Sequence, residues 1–112
     1  MKYNATAGSS FQFCPNLRLI LNELSIVTSG NYIFSRSGLI KAPKIVNTNL
    51  LSSSAIYGYC YNIVDGGTLF ASSAANAFAH CINLQKIHLA KNCSTVSTTF
   101  TKCENLKYVT IE

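Results

Sequence analysis

Five cysteines and two histidines are the side chains of this 112-residue chain best suited to chemistry. Cys14, Cys60, Cys81, Cys93 and Cys103 offer nucleophilic thiolates, disulfides or soft metal ligands, and His80 and His88 offer general bases or imidazole ligands. Spacing decides among these uses. No C-x-x-C pair occurs, which argues against a tetrahedral zinc site. A Cys81–His88 or Cys93–His80 nucleophilic pair would need a base held against the thiol, and no family signature surrounds either pair. The four carboxylates, Glu23, Asp65, Glu104 and Glu112, are dispersed along the chain, so no paired acid and base emerges. The DGGT stretch at 65–68 lacks the Lys-Ser/Thr that completes a phosphate loop and reads as a turn or loosened strand. The expectation is a protein that is not an enzyme and that carries no cofactor and no metal.

The cysteines have a second, structural pattern. Cys14, Cys60, Cys81 and Cys103 each follow an aromatic residue by three positions: Phe11, Tyr57, Phe78 and Phe100. Phe34 joins the frame with Ser37 in the cysteine position and one residue deleted before Leu39. From Phe78 the frame continues through Asn83, Leu84, Ile87 and Leu89; from Phe100 it continues through Asn105, Leu106, Val109 and Ile111 at the same offsets. A period in the low twenties with L-x-x-I-x-L spacing belongs to leucine-rich coils, whose units bury their apolar faces against one another. In that reading the aligned cysteines are small buried hydrophobes. A disulfide between adjacent coils stays open as an alternative, although an odd count leaves at least one thiol unpaired. Cys93 falls outside the frame and is the one thiol to test for exposure.

The motif AFxxCxNLxxIxL, carried by Phe78–Leu89 and Phe100–Ile111, resembles the BspA-like leucine-rich repeats of bacterial and protist surface proteins. The stretch SGLIKAPKIVNTNLLSS, 37–53, resembles a variant with Ala-Pro after the leucine. Period and resemblance together predict a leucine-rich repeat solenoid of the α/β class, mainly β. It would be a right-handed coil of about five 21–23-residue repeats, with brief helical turns at the aromatics and a parallel sheet on its concave face. Residues 1–10 would be an N-terminal tail or partial cap, and 11–112 the repeat domain.

Composition bounds the function. Apolar residues make up 48% of the chain and charged residues 12%, enough to build a core and too few charges for a disordered segment. The net charge of +5 is spread without a basic run, which argues against nucleic acid as a partner. No window is long and apolar enough for a membrane span, so no membrane insertion is expected. What remains is a surface. On the predicted sheet, the outward positions Lys41, Asp65, Lys86, His88, Lys107 and Tyr108 form a mildly basic strip and are the candidate ligand-binding residues. The expected function is a non-enzymatic protein- or glycan-binding module. The resemblance implies surface adhesion or host contact at the cell surface or outside the cell, although residues 1–13 carry no signal peptide. The alternative is a structural subunit of a larger assembly, a phage or cell-envelope component. Such a subunit would dock or self-associate through an open C-terminal edge.

Overall fold

A computed structural model describes residues 10–26, 29–46 and 52–112 in full, and 3–5 and 51 through their backbone. The remaining part of the expected N-terminal tail, and residues 47–50 of the Ala-Pro variant segment, lie outside the described residues.

The aromatic frame determines the core. Phe11, Phe34, Tyr57, Phe78 and Phe100 form one column, with successive ring centroids 5.7, 5.2, 4.9 and 5.8 Å apart. The rings lie within 8–19° of parallel, so each covers the face of the next. Leu24, Leu39, Ile63 and Leu84 pack beside the column and are fully buried, while Leu106 is partly covered. Each aromatic opens a tight turn. The carbonyls of Phe34, Tyr57, Phe78 and Phe100 accept the amide of the residue three positions on. The third residue of each turn, namely Arg36, Tyr59, His80 or Lys102, has φ of 59–62°.

Those left-handed residues explain the first correction to the sequence expectation. A left-handed residue two places after the aromatic halts a right-handed helix before its first turn closes. The described residues contain no helix, and the brief helical turns do not form. No helix among them is long and apolar enough to cross a membrane.

The second correction concerns the architecture. A leucine-rich solenoid of five repeats with one concave sheet is not what the chain forms. Among the described residues the strands divide among three separate parallel sheets, in a body of 34 × 32 × 19 Å. β1 (Tyr3–Ala5) pairs with β2 (Leu24–Ile26), and β3 (Leu51–Ser52) pairs with β5 (Ala71–Ser73). The largest sheet has three strands: β4 (Asp65–Leu69), β6 (Lys86–Leu89) and β7 (Tyr108–Ile111), with β6 in the centre. A continuous sheet fails at identifiable residues. Pro43 has no amide to donate, and among the described residues its neighbourhood pairs with the three-stranded sheet through one isolated bridge, between Lys41 and Asp65. The segment 17–21 forms no strand.

Within the three-stranded sheet, β6 and β7 pair without a break, Lys86 opposite Tyr108 through Leu89 opposite Ile111. The β4–β6 register shifts between Asp65 and Thr68. Gly66 and Gly67 lie at that shift. Gly67 has φ of 63°, a conformation that costs glycine little. A Cβ on Gly66 would stand 2.8 Å from the Ile87 Cδ1 and 3.1 Å from Leu84 and Phe78 carbons. The missing side chain is therefore space that its neighbours already occupy.

The framed cysteines are free thiols and end on backbone carbonyls. Cys60 Sγ donates to Phe34 O (3.0 Å), Cys81 Sγ to Tyr57 O (3.0 Å) and Cys103 Sγ to Phe78 O (3.1 Å). Each thiol thus ties its turn to the aromatic residue one segment earlier. Cys60 and Cys81 are fully buried; Cys14, Cys93 and Cys103 are half-buried, so Cys93, outside the frame, is no more open than two of the framed thiols.

Candidate functional site

The three-stranded sheet carries a hollow of about 330 Å³ lined by Asp65, Gly67, Thr68, Lys86, Ile87, His88, Tyr108 and Thr110. Strand alternation builds it: Lys86 and His88 leave β6 on one face, while Ile87 between them is buried on the other. In-register pairing sets Tyr108 beside Lys86 and Thr110 beside His88.

The polar groups are already oriented by one another. Asp65 Oδ1 accepts the Gly67 amide at 2.9 Å, and Lys86 Nζ lies 3.6 Å from Asp65 Oδ2. His88 Nδ1 and Thr110 Oγ1 are 2.7 Å apart, and His88 Nε2 lies 3.6 Å from Glu112 Oε1. The Lys86 and Glu112 side chains are 60% and 62% exposed, so these contacts position side chains more than they stabilise the fold. Tyr108 is 65% exposed and presents its ring beside the polar row.

Of the six residues expected to bind, Asp65, Lys86, His88 and Tyr108 line this hollow together. Lys41 does not; it borders a separate depression with Leu19, Leu21 and Lys44. Lys107 is exposed one residue before β7, outside the hollow's lining. Thr68, Thr110 and Glu112 were missed. Thr110 was within reach of the sequence reading, because it holds in β7 the place that His88 holds in β6. Thr68 was not, because the register shift at the two glycines moves it opposite His88.

The residues with nucleophilic potential lie elsewhere. Burial pushes the Cys60 and Cys81 thiols up, and it pushes Cys103 up to about 11. At neutral pH these groups are protonated and poor nucleophiles. His80 stacks on Tyr59, with centroids 4.6 Å apart. The described residues contain no group of three His, Cys, Asp or Glu placed to hold a metal ion.

Two outcomes follow from the thiols. In native protein, a thiol-specific disulfide reagent at pH 8 should leave Cys60 and Cys81 unmodified over the time in which all five react in denaturant; stopped-flow absorbance with mass mapping checks this. The second is a pH effect. Cys103 titrates near 9 when unfolded and about 11 when folded, so the unfolded state releases its proton first. Its contribution to stability is complete below pH 9 and is lost as pH rises towards 11. Urea midpoints measured from pH 7 to 11 should fall over that window, and less steeply in Cys103→Ala. No protein-family model, curated protein or solved structure matches the chain.

Proposed function

We propose that the chain is a non-enzymatic binding module that takes its ligand in the hollow over β4, β6 and β7. The observation that carries this is the convergence of Asp65, Lys86, His88 and Thr110, held by mutual contacts, beside the exposed ring of Tyr108. Donors and acceptors fixed before the ligand arrives reduce the entropy lost on binding. An aromatic wall with a short row of polar groups suits the hydroxyls and C–H faces of a glycan better than a flat protein epitope. The likeness of Phe78–Leu89 and Phe100–Ile111 to segments of surface proteins supports a role in adhesion or host contact.

A screen of immobilised glycans and matrix proteins tests the reading. Lys86→Ala/His88→Ala/Tyr108→Ala should weaken retained binding by at least about tenfold, or about 1.4 kcal/mol. Full binding by this variant, or no glycan retained by the parent chain, would count against the hollow.

One observation favours a second reading. β7 pairs with β6 along one edge and has no partner strand on the other among the described residues. Val109 and Ile111 are 47% and 74% exposed there. An open apolar edge templates strand addition, and the occupant would be a second copy in a larger assembly. Light scattering would then show concentration-dependent association that Ile111→Lys abolishes.

A further inference from the structure

A second hollow shares no lining residue with the one over β4, β6 and β7. Phe13, Arg36, Tyr59, His80 and Lys102 all have φ between 58 and 62°. Glycine and asparagine adopt this conformation most cheaply, yet these positions carry large side chains. The first four of these side chains stack. The Arg36 guanidinium carbon lies 5.7 Å from the Phe13 centroid and 4.3 Å from that of Tyr59. The other face of the stack continues with His80 parallel to Tyr59. A guanidinium placed between two rings in this way still carries its N–H donors, which a planar acceptor can take in pairs.

Beside Arg36 the surface is notched. The segment from Phe34 to Leu39 is one residue shorter than the matching segments from Tyr57 and Phe78, and the asparagine position is the one lost. The consequence is visible in the hydrogen bonds. Asn83 Nδ2 donates to Tyr61 O at 2.8 Å and Asn105 Nδ2 to Ile82 O at 2.7 Å, each one segment earlier. In the shortened segment Gly38 O accepts from Arg18 Nη1 instead, at 3.2 Å. The Asn62 amide makes no hydrogen bond with the described residues. It lines a hollow of about 190 Å³ together with Arg36, Tyr59, Tyr61 and Gly38. Tyr61 stands at 84° to Tyr59 and is 49% exposed, forming a flat wall.

Charge selects the sign of the occupant. Glu23 and Asp65 are paired with Lys44 and Lys86, and Arg36 has no ion pair among the described residues. Size and shape select its class. The Tyr59 ring is taken up by Arg36 and His80, so Tyr61 is the aromatic face left to an occupant. A single sugar ring fits a hollow of this volume, with its C–H face on Tyr61. We infer that the Arg36–Tyr61–Asn62 notch binds one carboxylated sugar residue, the guanidinium forking onto the carboxylate and the free amide taking a hydroxyl.

The test is an NMR titration of the ¹⁵N-labelled full chain with a galacturonic acid tetramer, its carboxyl-reduced counterpart, sialyllactose and lactose. The expected result is a saturable shift of the Arg36 Nε–H and Tyr61 amide signals with at least one acidic sugar, and none with its neutral counterpart. Arg36→Lys keeps the charge and loses the fork, and should weaken binding at least tenfold. Asn62→Ala, at a surface position, should also weaken it, while Lys86→Ala/His88→Ala leaves it unchanged. Absence of shifts at Arg36 with both acidic sugars would overturn the inference. Equal binding of the neutral sugars, or of hexaglutamate or oligothymidylate, would do so as well. Neutral-glycan binding read at His88 and Thr110 is a separate signal, so either site can fail alone.

Discussion

Phe78→Ala is expected to lower the unfolding free energy by about 3–5 kcal/mol, the usual range for deleting a buried phenylalanine. The upper part of that range applies, for three reasons. Phe78 is fully buried, its ring is covered on both faces by Tyr57 and Phe100, and Gly66 directs no side chain into the space. The cavity can collapse only if the column itself shifts. Urea denaturation followed by far-ultraviolet circular dichroism measures the loss. Phe78→Leu, which retains most of the volume, should cost clearly less. A loss below about 1 kcal/mol would mean that the column does not hold the core.

Gly38→Ala is expected to be the next most damaging single change, at about 3 kcal/mol, the high end for overpacking. A Cβ on Gly38 would run into the Pro15 carbonyl oxygen and the Arg18 guanidinium. Backbone cannot swing aside as a flexible side chain can. The same arginine bonds Pro15 O and Gly38 O, so the clash also removes the link between the two segments. Gly30→Ala is the control: its nearest neighbours would lie 3.2–3.3 Å away, and Ser53 Oγ and Ile56 Cδ1 are among them. It should cost less, and thermal melts of the pair rank them.

The sequence made some of this structure legible and misled on the rest. Spacing identified which residues touch: the five aromatics of the frame stand in one column, and the aligned thiols reach back to them. That information survives because side-chain volume and period are properties of the residues themselves. Architecture did not follow from it. The helical turns were wrong because Arg36, Tyr59, His80 and Lys102 carry no local mark of left-handed backbone; none is glycine or asparagine. The single sheet was wrong where Pro43 and the Gly66–Gly67 pair interrupt pairing, although those residues were plain in the sequence.

The candidate site divides in the same way. Asp65, Lys86, His88 and Tyr108 were found because in-register strands bring equivalent positions together. Lys41 was misplaced because its segment is joined to the sheet by a single bridge rather than a strand. The notch at Arg36 was invisible because it arises from a residue that is missing.

The most direct measurement is shift mapping on the ¹⁵N-labelled chain with the neutral glycan retained most strongly in the immobilised screen. The account predicts that the largest shifts cluster on Lys86, His88, Tyr108 and Thr110, and that they disappear in Lys86→Ala/His88→Ala/Tyr108→Ala. Shifts confined to other faces of the molecule, or a glycan screen with nothing to map, would contradict it.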